Sequence, residues 1–312
     1  MGNKPVKIGV RLDSKTIQAG ETLKGRVYIS VQQDQMTSGV HLVLSGEERS
    51  TIVRHERDDK DRRRVVERAT DNIIQRDVPL AVFADSMIRK GQYEYPFEWP
   101  IPDILPTSMR LEHGESHCEI RYEVVAYLAN SNRSYFSRDS SGSASLLIFG
   151  NSFDESAKEV QMDPESFPIK TCCFNRGSIK VGWDADRTVA APGTIVNIGI
   201  VGKNESIVEV QHLSAKLMEV VEWTANGRRE KSKRTLVESR IQVQAFTNWH
   251  RQMQVPSRHQ QSEWNSYESL ADLHRATTQL KVSMDAKDSY FGNLITVRHM
   301  LVVSVITPGA CC

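Results

Sequence analysis

Apolar and polar residues alternate along most of the chain, which is the pattern of strands that bury one face. The stretch KGRVYISV places Val27, Ile29 and Val31 on one face and Arg26 and Tyr28 on the other. The same alternation runs through CEIRYEVVAYLA, GSIKVGWD and TIVNIGIVG, and the turn signals QAGE, LSGEE and AAPG separate such stretches. The pattern predicts an all-β fold built from sandwiches.

Two stretches depart from this alternation. NSYESLADLHRA has a helical period, with Asn265 as a candidate cap and Glu268 three residues later, so we expect one short helix there. NSFDESAKEVQMDPESFP has two prolines and few strand formers, and we interpret it as an interdomain linker. The predicted organisation is an N-terminal domain (1–150), a linker (151–167), a C-terminal domain (168–307) and a flexible tail (308–312).

The two halves of the chain repeat one order of features. KIGVRLDSKTIQAGETLKGRVYISV and SIKVGWDADRTVAAPGTIVNIGIVG each contain a strand, a polar turn with Asp, a corner with Gly and a second strand. Gly20 and Gly193 occupy the two corners, where unusual backbone angles favour glycine. In each half, a segment with proline and then a long closing strand follow. This order indicates a duplicated β-sandwich.

Composition narrows the class of protein. The 312 residues have a net charge of +1, with 40 Lys and Arg against 39 Asp and Glu, which excludes a nucleic-acid binder that relies on overall charge. The longest apolar runs have the length of strands, and MGNKPVKIGVRLD has no apolar signal core. We therefore expect a cytoplasmic protein whose five cysteines stay reduced.

The stretch RHERDDKDRRRVVERATDN has the highest density of charge. Between Arg54 and Arg68 it contains seven Lys or Arg and five Asp or Glu. Because the two signs interleave, a long solvated hairpin or loop is the favoured interpretation. The alternative is a phosphate-binding site formed by Arg62, Arg63 and Arg64, which are consecutive.

An ordered set of segments resembles the arrestin fold, and most of all the alpha-arrestins, also called arrestin-domain-containing proteins. The first half is similar to an arrestin N-domain in AGETLKGRVYISV, GVHLVLSGEE, GQYEYPFEWPIPDILPTSM and CEIRYEVVAYL. The second half is similar to a C-domain in CCFNRGSIKVGWDADRTVAAPGTIVNIGIVGKNES and LITVRHMLVVSVI. The resemblance extends from about Val6 to Ile306. It implies two tandem arrestin-like, immunoglobulin-like β-sandwich domains.

The resemblance also implies a function, that of a non-catalytic adaptor. Such an adaptor binds cytoplasmic regions of membrane proteins for endocytic sorting, trafficking or ubiquitin-linked downregulation, and is recruited to the plasma membrane or endosomes. By position, Lys7 and Arg11 lie on the first strand, where arrestins place phosphate-sensing lysines, and the alternative is an ordinary solvated strand face. A second candidate function is a constitutive coat subunit similar to the arrestin-like component of retromer.

Partners implied by the family are phosphorylated or acidic cargo tails, a ubiquitin ligase and sorting machinery. Alpha-arrestins recruit HECT-type ligases through Pro-Pro-x-Tyr motifs, and the printed sequence contains none. Edge strands of such folds can receive an extended partner segment. The stretch 256–278 is longer than the loop expected there, and we assign it no role.

A search for enzyme motifs leaves one remote candidate. The chain has no Gly-x-Ser-x-Gly elbow, no phosphate-binding Gly-x-x-x-x-Gly-Lys-Ser/Thr and no His-Glu-x-x-His. His113, His117 and Cys118 are close in sequence, so a metal-dependent enzyme is a remote alternative, although a fourth ligand is missing. We expect no catalysis and no cofactor.

Both ends of the chain carry lipidation candidates. Gly2 follows Met1 as N-myristoylation requires, although Val6 replaces the usual Ser or Thr. Cys311 and Cys312 end the chain, and palmitoylation there is the favoured modification. Two lipid chains anchor a protein far more stably than one, so the two ends together predict peripheral membrane contact.

Overall fold

The structure of the chain is a computed structural model. It describes residues 5–57, 62–129, 141–151, 159–171, 174–242 and 274–307. Within these ranges every helix or strand is a β-strand. The predicted all-β class is therefore confirmed.

Nineteen strands follow one another in the described residues. The first eleven are β1 (Val6–Leu12), β2 (Thr16–Gln18), β3 (Thr22–Val31), β4 (Gln35–Met36), β5 (Gly39–Arg57), β6 (Arg62–Val82), β7 (Met87–Ile88), β8 (Gly91–Pro100), β9 (Met109–His113), β10 (Ser116–Ala129) and β11 (Ser141–Phe149). The other eight are β12 (Val160–Thr171), β13 (Phe174–Ala185), β14 (Ile195–Asn204), β15 (His212–Ala225), β16 (Arg228–Gln242), β17 (His274–Lys281), β18 (Tyr290–Phe291) and β19 (Ile295–Ile306).

The chain forms two compact units. The first comprises residues 1–151, 221–232 and 287–297, and the second comprises residues 152–220, 233–286 and 298–312. The predicted domain boundaries after residue 150 and before residue 168 stay predictions.

The first unit packs two sheets around one apolar core. A three-stranded sheet has the order β1-β3-β8, and a larger sheet has the order β2-β11-β10-β5-β6, with β9 also paired to β10. Alternate residues of both sheets point inward, as Val27 and Ile29 do on β3 and Leu44 and Val124 on the larger sheet. Burial of these branched side chains is the main stabilisation of the sandwich.

Strands of the second half form two four-stranded sheets. Their orders are β12-β13-β14-β17 and β16-β15-β19-β18. The core of the second unit contains Ile179, Ile198, Ile200, Leu213 and Leu280, all nearly inaccessible to solvent. Together with the first unit, these sheets confirm the predicted tandem β-sandwiches.

Two glycine corners and one proline-rich strand also match their predictions. Gly20 has a φ of 87° and Gly193 a φ of 84°, angles that L-residues with a side chain rarely adopt. The proline-bearing strand β8 lies at an edge of the three-stranded sheet. An edge tolerates proline because its outer side lacks a hydrogen-bonding partner strand.

Other sequence predictions meet a strand or fall outside the described residues. β12 begins at Val160, inside the stretch interpreted as a linker. Most of the helix expected around Asn265 lies outside the described residues. Its last residues, from His274 onward, belong to β17, so the helix prediction is wrong for them. The tail 308–312 and the Cys172–Cys173 pair also lie outside them.

Candidate functional site

The outer face of the three-stranded sheet carries the two cations predicted on the first strand. Val6, Ile8 and Val10 face the core side of β1, so alternation leaves Lys7 and Arg11 exposed on the other side. β1 pairs antiparallel with β3, which sets Lys7 opposite Ser30 and Arg11 opposite Arg26. The structure thus brings Lys7 and Arg11 onto one exposed face.

Cations on the neighbouring strand are already neutralised. Lys24 Nζ lies 2.9 Å from Glu98 Oε1, and Arg26 Nη1 lies 2.7 Å from Glu94 Oε1. These hydrogen bonds raise the pKa of both basic groups above their usual values. Within the described part of the chain, no ion pair is formed by Lys7 or Arg11. The unpaired positive charge of this face therefore lies on β1.

The surface between Lys7 and Arg11 is open and has one aromatic side chain beside it. Gly9 lies between the two cations, and a Cβ atom placed there would meet no atom within 4 Å. Tyr28 lies opposite Gly9 in the register and is 38% exposed. Tyr28 was missed by the sequence reasoning, although the alternation that exposes Arg26 exposes Tyr28 as well. We call Lys7, Gly9, Arg11 and Tyr28 the β1 face.

The edge of β1 is less open than its face. A Cβ atom on Gly142, at the start of β11, would overlap the carbonyl oxygen of Ile8 and approach the amide nitrogen of Gly9. The backbone of β11 therefore lies against the middle of β1. Side chains of the β1 face are better placed to contact a partner than this part of its backbone edge.

The arginine triplet is divided by strand geometry. Arg62–Arg64 begin β6, where successive side chains point to opposite faces. Arg64 Nε lies 2.7 Å from Glu115 Oε2, and His55 Nε2 lies 3.2 Å from Glu115 Oε1. The hydrogen bond from Arg64, followed by that from His55, lowers the pKa of Glu115. Arg63 is exposed, and the side chain of Arg62 lies outside the described residues.

The described part of the triplet is not one cationic group, because Arg63 and Arg64 point to opposite faces of β6 and Arg64 is paired with Glu115. The charged stretch that contains it forms the β5–β6 hairpin, in agreement with the favoured interpretation. Lys7 and Arg11 lie on a different sheet from this hairpin.

The residues of the remote metal hypothesis are not directed at one point. His113 ends β9 and packs edge-on against Trp223, with ring centroids 6.2 Å apart. Cys118 is fully buried, and its neighbour on the strand, His117, points to the opposite face. Burial raises the pKa of the Cys118 thiol to about 12. Across the described residues, no three His, Cys, Asp or Glu side chains group as metal ligands.

The second unit has a polar cavity of about 770 Å³ on the outer face of β13, β14 and β17. Asp184 Oδ1 and Arg275 Nη2 are 2.7 Å apart there, and a Cβ atom on Gly199 would collide with this pair. Asp186 receives hydrogen bonds from the backbone and side chain of Asn197, which lower its pKa although burial acts in the opposite direction. Of the charged groups that line this cavity, Asp184 and Arg275 are thus paired with each other, and Asp186 is hydrogen-bonded to Asn197.

The lipidation candidates Gly2, Cys311 and Cys312 lie outside the described residues. Within those residues, no helix has the length and apolar character needed to span a membrane.

Comparison with models of protein families identifies the family of the chain. The model of the arrestin (or S-antigen) N-terminal domain matches residues 8–145, and that of the arrestin (or S-antigen) C-terminal domain matches residues 175–312. The chain belongs to the arrestin family. The N-terminal match precedes the C-terminal match along the chain, and together they indicate an adaptor-type protein. A search among curated proteins found no match.

Proposed function

We propose that this arrestin is an adaptor that binds acidic or phosphorylated cytoplasmic segments of membrane proteins through the β1 face and directs those proteins into endocytic sorting. The observation that carries the proposal is the contrast between two strands of one sheet. Lys7 and Arg11 lack ion pairs in the described part of the chain, whereas Lys24 and Arg26 on β3 are neutralised by glutamates.

The spacing of the two cations suits an extended partner. Residues four apart on a strand are separated by about 13 Å, since each residue adds about 3.3 Å. An extended peptide repeats the same spacing, so anionic groups four residues apart can contact Lys7 and Arg11 together. Tyr28 offers an amphipathic ring beside this path, which can pack on the partner's aliphatic groups.

Binding of this kind depends on charge and on salt. Phosphoryl groups carry nearly two negative charges at neutral pH and accept strong hydrogen bonds from arginine. Exposed ion pairs are weakened when salt screens them, so affinity should fall as ionic strength rises. A transient affinity of this type suits an adaptor that releases its cargo.

The test measures the anisotropy of a labelled peptide that carries two phosphoserines four residues apart, with its unphosphorylated form beside it. Lys7→Gln/Arg11→Gln should weaken binding of the phosphorylated peptide by about tenfold, which corresponds to about 1.4 kcal/mol. Arg63→Gln/Arg68→Gln is the matched control, because it removes the same charge from two exposed arginines of β6. Equal losses in both variants would indicate a general charge effect, and no loss in the first would remove the β1 face from the proposal.

Membrane recruitment through lipid is a further part of the proposal, and it rests on the sequence of the two ends. Intact mass spectrometry of the native protein should show an added acyl mass, with Cys311→Ser/Cys312→Ser released from the membrane fraction. An unmodified mass and unchanged fractionation would leave cargo and partners as the source of membrane contact.

A further inference from the structure

A carboxylate is buried in the first unit without a cation. Glu48, on β5, is 2% exposed. Across the described residues it forms no ion pair with Lys, Arg or His. An isolated buried charge is strongly unfavourable unless other polar groups replace its water. Hydrogen-bond donors of the protein must therefore replace the water that the Glu48 carboxylate loses on burial.

All donors to Glu48 come from one short segment, far away in the sequence. Leu294 N and Ile295 N each lie 2.8 Å from Glu48 Oε2. Asn293 N lies 3.3 Å from Glu48 Oε1, and the hydroxyl of Tyr290 donates to the same oxygen. Three consecutive backbone N–H groups and one phenol thus surround a single carboxylate. Consecutive N–H groups that converge in this way form a nest, which binds anions.

The nest is a tight loop between two paired strands. Tyr290 of β18 pairs with Val297 of β19, and Gly292 N donates to Ile295 O across the loop at 2.9 Å. Gly292 is required by the carboxylate, since a Cβ atom there would overlap Glu48 Oε1 and crowd the Tyr290 hydroxyl. The loop is thus shaped to receive a carboxylate at this point.

The loop is also connected to its surroundings by contacts that do not involve Glu48. Asn293 Nδ2 donates to Asp71 Oδ2 at 2.7 Å, and Thr224 N donates to Leu294 O at 2.9 Å. These bonds attach the loop to β6 and β15 independently of the carboxylate. The nest can therefore keep its shape without Glu48.

We propose that the loop Tyr290–Ile295 is an anion-binding site for carboxylates, which the chain fills with its own Glu48. In this arrangement Glu48 is an intramolecular ligand of the loop. The loop is attached to β5 when its donors bind the Glu48 carboxylate, and it is released from β5 when they do not. A merely structural glutamate would leave a damaged core when truncated, whereas an emptied carboxylate site accepts a free carboxylate.

Chemical rescue with acetate tests this difference. Glu48→Ala should lower the thermal midpoint and speed amide exchange in residues 287–297. Sodium acetate should restore both, saturably, while sodium chloride at equal ionic strength should not. Leu44→Ala is the matched control, because it opens an apolar space in the same buried face of β5, without donors for a carboxylate. Recovery by acetate no greater than by chloride, or equal in both variants, would overturn the proposal.

Gly292→Ala keeps the proposal testable if Glu48→Ala fails to fold. Its methyl group occupies the place of Glu48 Oε1, so it should also speed exchange in residues 287–297. Because the nest is then filled by the methyl group, acetate should give no recovery. Slow exchange in this loop, unchanged from the parent protein, would count against the nest. The test does not involve the β1 face, so its failure would leave the proposed function standing.

Discussion

Among the described residues, each unit of this arrestin buries one glutamate almost completely, and the two are stabilised in opposite ways. Glu48 in the first unit is held by backbone N–H groups and a phenol, and it forms no ion pair in the described residues. Glu219 in the second unit is 1% exposed and faces Arg234, whose Nε lies 2.7 Å from Glu219 Oε1 and whose Nη2 lies 3.2 Å from Oε2. His299 Nε2 lies 3.7 Å from Glu219 Oε2.

The difference shows what each carboxylate holds in place. Glu48 mainly binds backbone N–H groups, so it fixes the path of a loop. Glu219 binds a guanidinium that reaches on to Asp285, so it fixes one side chain in a network. The hydrogen bond to Glu219 raises the pKa of Arg234, although burial opposes this change. Truncating Arg234 removes every donor that it gives to Glu219, whereas truncating a side chain of the loop leaves the three backbone donors to Glu48 in the chain.

The largest expected effect is on the ion pair of the second unit. Arg234→Met leaves the charge of Glu219 buried without its main partner, and should lower the free energy of unfolding by about 3–5 kcal/mol. Urea-induced unfolding measures this loss. Glu219→Gln/Arg234→Met removes both charges and should recover most of it. Lys233→Met, at the exposed neighbour, should have little effect; a loss as large as that of Arg234→Met would contradict the assignment.

The next largest effect is expected at alkaline pH, which should destabilise the first unit more than the second. Burial raises the pKa of Cys118 to about 12 and also raises that of Tyr122 and of Tyr290, which the hydrogen bond to Glu48 raises further. Above pH 9 the unfolded chain loses the thiol proton while the folded chain keeps it. The free energy of unfolding should therefore fall by about 1.4 kcal/mol per pH unit between pH 9 and 12 from Cys118 alone.

Thermal melts across that range measure the loss, and Cys118→Val should reduce its slope. Limited proteolysis at high pH should cut the first unit before the second. An equal slope in the parent and in Cys118→Val would show that the thiol contributes nothing.

A smaller effect is expected when the nest loses one of its four donors. Tyr290→Phe removes a hydrogen bond to a charged group and should lower the free energy of unfolding by about 1.5–3 kcal/mol. Hydrogen exchange of residues 287–297 locates the change. Tyr95→Phe is the control, since that partly buried tyrosine has no hydrogen bond through its hydroxyl in the described residues. If the two variants are equally stable, the phenol of Tyr290 does not support the carboxylate.

The smallest effect should come from a carboxylate on the surface. Glu115 contacts both Arg64 and His55, which gives it more cationic partners than Glu48 has. Because the contacts are exposed and screened by water, Glu115→Gln should leave the urea midpoint within experimental error. A clear loss would mean that ion pairs alone, without burial, stabilise this hairpin.

Alternation along the chain was sufficient to predict the fold class, whereas Lys7 and Arg11 were placed on the first strand by the resemblance to arrestins. Alternation also carried an unused signal for Glu48, which shares its face of β5 with Leu42 and Leu44. A charged residue at a core position indicates a polar partner inside the protein. The identity of that partner was out of reach, because the loop lies nearly 250 residues later and three of its four donors are backbone N–H groups, which leave no sequence signal.

The strand β12 was missed for a different reason. Its prolines dilute the strand pattern, and two register irregularities interrupt its pairing with β13. β12 is an edge strand, where proline and bulges are tolerated. Periodicity is therefore weakest at sheet edges. The pairing of Arg64 likewise could not be read from the sequence, because its partner Glu115 lies in the turn between β9 and β10.

The β5–β6 hairpin extends beyond the sheet that supports it. β10 pairs with β5 only as far as Thr51, while β5 and β6 continue together to the Arg57–Arg62 pair. The outer six residues of β5, about 20 Å long, thus pair with β6 alone, and their other contacts are the burial of Ile52, the bond from Val53 N to Ser116 Oγ and the exposed contact of His55 with Glu115. Two-stranded ribbons are only marginally stable by themselves, so the arm should bend and exchange its amides before the sheet below it does. Arg63 therefore lies on an arm that is expected to be flexible, while Lys7 and Arg11 lie on a strand that packs against the core of the sandwich. The protein thus presents positive charge on one flexible and one firmly packed surface.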